Sequence, residues 1–193
     1  PRLISSAASD VYKRQDHKGV WRVIHEIVTY DMGLERFAIL LKEDINRFFP
    51  KHDIVVFGDP AGSQRSTLNE DTSFDHLKTH GILAKPCATN NFKTRREALA
   101  MPMTRLIDGE PGFRIDRKCV RLRKSLAGGY HFKRVAVGAG HEKFKDVPSK
   151  NEHSHVHDAA QYCLLGSEYR TMTRGKSRQL QPMVAKIDFD PLA

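Results

Sequence analysis

The sequence predicts an α/β domain, on three observations. Segments of strand and helix periodicity alternate from residue 20 onward, a short apolar run stops at Gly58-Asp59-Pro60, and the composition is that of a globular chain. With 193 residues, 39% of them hydrophobic and 28% charged, the chain is long enough to bury one core. No apolar run approaches the length of a membrane span, which argues against a membrane role.

The elements follow in order. Residues 20–30, VWRVIHEIVTY, are rich in β-branched and aromatic side chains with partial alternation, and predict a strand after a turn at Lys18-Gly19. Leu34, Phe37, Leu41, Ile45 and Phe48 recur at helical spacing, and Pro50 stops the amphipathic helix they define. The run from Ile54 to Phe57 predicts a parallel strand buried on both faces. A polar loop follows, then a short helix through FDHLKTHG and a strand in ILAKPCA. FKTRREALAMPMTRLID predicts a helix kinked at Pro102, and GFRID and YHFKRVAV predict strands flanking a helical segment from Cys119 to Leu126. A last helix begins near Ser154 with SHVHDAAQYCLLGSE, and residues 167–193 are expected to form a flexible basic tail.

The opening stretch, PRLISSAASDVYKRQ, has neither the pattern of a signal peptide nor that of a strand or helix. DVYKRQ back-translates into the transposon end used to build sequencing libraries. Residues 1–15 are therefore expected to be a non-native leader, with the domain spanning 16–166.

Thirty-two Lys and Arg against 23 Asp and Glu give a formal charge of +9, which favours a polyanionic partner. Cys87, Cys119 and Cys163 are isolated and odd in number, so they form neither a metal knuckle nor a disulfide framework and read as reduced, packed thiols.

Two carboxylates stand out. Asp59 follows a strand directly, at the end where open α/β sheets place functional groups, although Asp-Pro is equally a turn former. Asp158 lies on the last helix with His155 three residues before it and on the same face; an exposed helix start explains the pair as well. His153 and His157 point elsewhere on that helix. Phosphodiester cleavage by paired Mg²⁺ needs several hard oxygen ligands from different elements, with a nearby His orienting water or completing a coordination shell. Asp59, Asp158 and His155 suit those roles, one carboxylate short of a comfortable set. GDPAGSQRS lacks the Walker spacing and its Lys, so it is not an ATP site.

Four blocks, EIVTYDMGLERFAILL, FGDPAGSQRSTLNEDTSFDHLKTHGI, NNFKTRREALAMPMTRLIDGEPGF and SHVHDAAQYCLLG, resemble the nuclease domains of phage terminase large subunits from Gly19 to Gly166. The order GDPAG, RREA, SHxHDA is more specific than any one motif. The resemblance implies an RNase H-like fold, a mixed central sheet flanked by helices, with acidic residues binding two Mg²⁺ or Mn²⁺ ions. It carries over Asp59 as the second acidic motif, Asp158 as the third, and His155 as the histidine one turn before it. The family's first catalytic aspartate sits on an opening strand that is missing here, its place taken by the leader; Asp10 and Asp16 do not fill the gap, because neither has a strand-like context. The implied activity is cutting concatemeric double-stranded DNA during packaging, in the cytoplasm of the infected bacterial host. Partners in a full-length protein would be the ATPase domain, the portal and the small terminase subunit. Lys93, Arg95 and Arg96, and Arg121, Arg123 and Lys124, are expected to meet DNA phosphates without reading sequence, although solvated charged faces explain each cluster as well. Phe92 and Tyr130 read as packing residues. A catalytically incomplete DNA-binding module, or another nuclease or transposase of the same fold, remains an alternative.

Overall fold

The computed structural model describes residues 9–15, 18–64, 71–137 and 141–174. At its centre, strand β2 (Trp21–Val28) is flanked by β1 (Ser9–Gln15), antiparallel, and β7 (Phe113–Ile115), parallel. The pairing of β1 with β2 slips at Tyr12/Lys13, where Tyr12 meets His25 and Lys13 meets Val23. Ile24 is thus an extra residue in β2, and a bulge there reverses the in/out alternation. This explains why the alternation is only partial in the sequence: Val23 and Val28 turn to one face, Ile24 and Ile27 to the other.

Each face of this sheet carries its own apolar layer. On one side Tyr12 and Ile27 pack with Phe37 and Leu41 of helix α1 (Leu34–Phe48) and with Ile82. On the other, Val11, Val23 and Phe113 pack with Leu99 of α3 (Phe92–Thr104), Leu122 of α4 (Val120–Lys124), and Val156, Ala160 and Leu164 of α5 (Ser154–Arg174). The result is helix, sheet, helix, as predicted. Glu26 of β2 adds a polar tie, its carboxylate accepting the backbone N–H groups of Arg121 and Leu122 at 2.7 and 2.9 Å.

A second, parallel pair joins β3 (Val56–Gly58) to β4 (Ala84–Pro86), with α2 (Ser73–Thr79) between them in sequence. Helix α2 begins at a capping box in which Thr72 and Asp75 satisfy each other's backbone N–H groups. Helix α5 packs against both β1 and β3 and so spans the two sheets. The β3 strand is parallel as expected but half-buried rather than covered on both faces.

Four sequence readings change. Residues 9–15 form a strand, so the segment expected to lie outside the fold supplies its β1, and Asp10 does sit in a strand; Asp16 lies outside the described residues. Helix α3 passes through Pro102 but ends at Thr104. Its expected continuation is a hairpin of β5 (Leu106–Ile107) and β6 (Glu110–Pro111), turned by Asp108-Gly109, both with positive φ. Strand β8 (Phe132–Val137) pairs with an unforeseen β9 (His141–Pro148). Helix α5 continues to Arg174, past the boundary expected at 166; the rest of the expected tail lies outside the described residues.

Candidate metal centre

Asp59 leaves β3 and caps a single 3-10 turn from Pro60 to Ser63. Its side chain accepts the Ala61 N–H at 2.9 Å while the turn bond runs from Gly62 N to its carbonyl at 2.9 Å. The end of β4 holds this corner, the Cys87 N–H donating to the Gly58 carbonyl at 3.0 Å. Asp59 is exposed.

Asp158 comes from the first turns of α5 and is held by two cations. Arg95 Nη1 lies 3.0 Å from one carboxylate oxygen and Lys150 Nζ 2.8 Å from the other. Tyr162, one turn after Asp158 on the same helix face, joins the two carboxylates. Its phenol donates to Asp59, its ring lies 4.6 Å from the Arg95 guanidinium carbon, and both aspartates raise its pKa in addition to burial. Asp59 and Asp158 therefore converge on Tyr162, as co-ligands must. His155 joins them less closely: its pKa is lowered, first by burial and then by the Lys150 cation, with Asp158 opposing.

The packing that brings α5 to Asp59 is tight. A Cβ added at Gly166 would overlap the Phe57 ring, two residues before Asp59. Helix propensity alone favours Gly166→Ala by about 1 kcal/mol. Overpacking a rigid contact costs roughly 1–3 kcal/mol and occasionally more. The second effect is expected to win, with Gly166→Ala lowering the melting temperature; a rise would show that α5 has room to move from β3.

The other histidines of the SHVHDA block are packing residues. His157 accepts or donates a bond to Ser125 Oγ at 3.0 Å and packs on Tyr130 at 4.5 Å between ring centroids, and burial pushes its pKa down to about 4. His153 sits against Gly129. The thiols are inert: burial raises Cys87 to about 11 and Cys119 and Cys163 to about 12.

Of the basic clusters, Lys93, Arg96, Arg121, Arg123 and Lys124 are exposed. Arg96 pairs with Glu97 at 2.8 Å and Arg121 with Glu152 at 3.4 Å. Arg95 differs: it is buried, Nε bonded to the Asn90 carbonyl at 3.2 Å, and it belongs to the site rather than to the surface. Phe92 packs edge-on against Phe132.

Strand β1 supplies no further carboxylate to this place. Val11 packs on the α5 side, so its neighbours Asp10 and Tyr12 face α1. There Asp10 meets Asp44 and His25, and its pKa rises to about 6, chiefly through burial. The long side chain that β1 turns toward α5 is Lys13, whose ammonium lies 3.6 Å from the centre of the Trp21 ring and acts on Cys87 together with Asp59 and Arg95. Two carboxylates thus face Arg95, Lys150 and Lys13. Among the described residues no group of three His, Cys, Asp or Glu side chains is arranged to hold a metal ion. As it stands the site does not fit a pair of divalent ions, which need more negative charge than two aspartates already neutralised by cations.

No protein-family model matches the sequence, and no curated protein matches it. Among solved structures, the nuclease domain of the large terminase (g2p) of bacteriophage SPP1, determined with bound Mn, is similar to this chain. The match covers 84% of this chain and 78% of that one at 16% identity, with a TM-score of 0.52. No helix among the described residues is long and apolar enough to cross a membrane. The chain shares the mixed α/β, RNase H-like fold of a phage large-terminase nuclease domain.

Proposed function

We propose that the chain is a phage terminase nuclease domain of metal-dependent type, which cuts concatemeric double-stranded DNA during genome packaging, here without the full ligand set for its ions. The single observation that carries the reading is the convergence of Asp59 and Asp158 on Tyr162. Two elements far apart in sequence deliver hard oxygen ligands to one exposed corner of an RNase H-like fold. Mg²⁺ or Mn²⁺, once a third carboxylate is supplied, would be held by Asp59 and Asp158 with His155 alongside, and would activate water and stabilise the leaving oxygen. Lys93, Arg96, Arg123 and Lys124 are exposed for phosphate contacts. The ATPase domain, portal and small subunit are the partners this reading gives the full-length protein, in the host cytoplasm.

The excess of cations around the aspartates favours a second reading, a module that binds DNA without cutting it. The two agree on binding. Fluorescence anisotropy with duplexes of unrelated sequence is expected to give similar affinities that fall steeply between 50 and 200 mM salt, roughly tenfold or more if only a few phosphates are neutralised. A salt-insensitive, sequence-selective complex would contradict both.

A further inference from the structure

The two cations on Asp158 differ in standing. Arg95 is fixed: its side chain is 10% exposed, its Nε is bonded to the Asn90 carbonyl, and its guanidinium stacks on Tyr162. Lys150 is 72% exposed and reaches the other oxygen of a carboxylate that is itself only 15% exposed. The backbone around Lys150 is held on both sides, by Ser149 N–H on the His131 carbonyl at 3.0 Å and by Asn151 Nδ2 on the Gly129 carbonyl at 2.8 Å. What is free to move is the lysine side chain, a hydrated ammonium on a four-carbon stem, and solvent-exposed ion pairs of this kind cost little to break.

We propose that Lys150 is the exchangeable cation of this site: it occupies the Asp158 oxygen from which a divalent ion is held, and the ion reaches that carboxylate by displacing the ammonium while Arg95 stays in place. Arg95 then positions Asp158 in both states, and Lys150 sets how readily the site accepts metal. The displaced ammonium remains at the mouth of the site, beside the path of a DNA phosphate. The inference rests on the reading of Asp158 as a metal ligand, and on the unequal burial of its two partners.

The test is Mn²⁺ binding, followed by the loss of the free-ion electron paramagnetic resonance signal, in the full chain and in Lys150→Met, Lys150→Arg, and Lys150→Met with Asp158→Asn. Lys150→Met is expected to bind Mn²⁺ at least tenfold more tightly than the parent chain, or to gain saturable binding where the parent has none, whereas Lys150→Arg stays near the parent. Melting curves of the exposed-site variants should match the parent, showing that the fold is intact. Equal or weaker Mn²⁺ binding in Lys150→Met, or no binding by any of the chains, overturns the exchange. If the gained binding survives Asp158→Asn, the ion sits elsewhere and the metal reading of Asp158 fails. If the parent binds Mn²⁺ through Asp158 with no response to Lys150, the exchange alone fails.

Discussion

Arg95→Ala is expected to lower stability by about 3 kcal/mol, because removing one partner of a buried ion pair leaves the other charge desolvated and uncompensated. Arg95 and Asp158 have side chains 10% and 15% exposed, and the same guanidinium covers the Tyr162 ring. For a chain of this size the loss corresponds to a fall in melting temperature of roughly 6–12 °C. Lys150 still partners Asp158 in the variant, which keeps the cost at the lower end of the range. Adding Asp158→Asn to Arg95→Ala removes the orphaned charge, so the double variant should be less destabilised than the sum of the two singles by about 1 kcal/mol or more. A melting temperature unchanged by Arg95→Ala, or strictly additive effects, would show that the pair is not the buried link between α3 and α5.

Asp10→Asn is expected to stabilise the protein at pH 8, by up to about 3 kcal/mol from a pKa raised by roughly two units. The carboxyl is buried on the α1 side of the sheet, and its pKa of about 6 reflects that burial and the nearby Asp44, opposed by the Val11 N–H and by His25. Because the folded-state value lies above the unfolded one, protonation favours the fold: this stabilisation is complete below about pH 4 and is lost as pH rises through about 6. Asparagine keeps the acceptor for the Val11 N–H, at 2.8 Å in the parent, and carries no charge. Melting temperatures of parent and variant should therefore coincide near pH 4 and separate by pH 8. A variant no more stable than its parent at pH 8 would show that Asp10 ionises without penalty, in contact with water.

The sequence carried the elements whose burial follows a simple period. Helix α1 was legible because Phe37 and Leu41 face the sheet at helical spacing, and β3 because an apolar run ends at Gly58. Strand β9 was not, since Lys143, Phe144, Lys145 and Val147 are all exposed in a two-stranded hairpin and no face of it is apolar. Strand β1 was set aside on its composition, yet Val11 and Tyr12 bury one residue on each face of the sheet, which suffices to dock it between β2 and α5. The hairpin after α3 carried its own signal in Asp108-Gly109. At the site, Asp59 and Asp158 were visible from their places beside a strand end and on a helix face. Tyr162 could have been found from its spacing of four after Asp158. Lys150 could not, because only the folded path of the hairpin brings it to α5. Arg95 was noticed for its charge but assigned to the surface, since a basic residue in a helix gives no sign of a carboxylate waiting 63 positions later.

The account's central claim, that Asp59 and Asp158 are the protein's share of a nuclease site, is tested most directly by plasmid nicking. In the chain to be assayed, residues 9–15 are exchanged for a strand carrying an aspartate at position 11 or 13, the positions of β1 that face α5. That chain is expected to nick supercoiled DNA in Mn²⁺ or Mg²⁺, and to lose at least ~100-fold of that rate on Asp59→Asn or Asp158→Asn. The parent chain, with two aspartates balanced by Arg95, Lys150 and Lys13, is expected to leave the plasmid essentially intact. Robust metal-dependent nicking by the parent, or indifference of the exchanged chain to both substitutions, would contradict the account and place the chemistry elsewhere in the molecule.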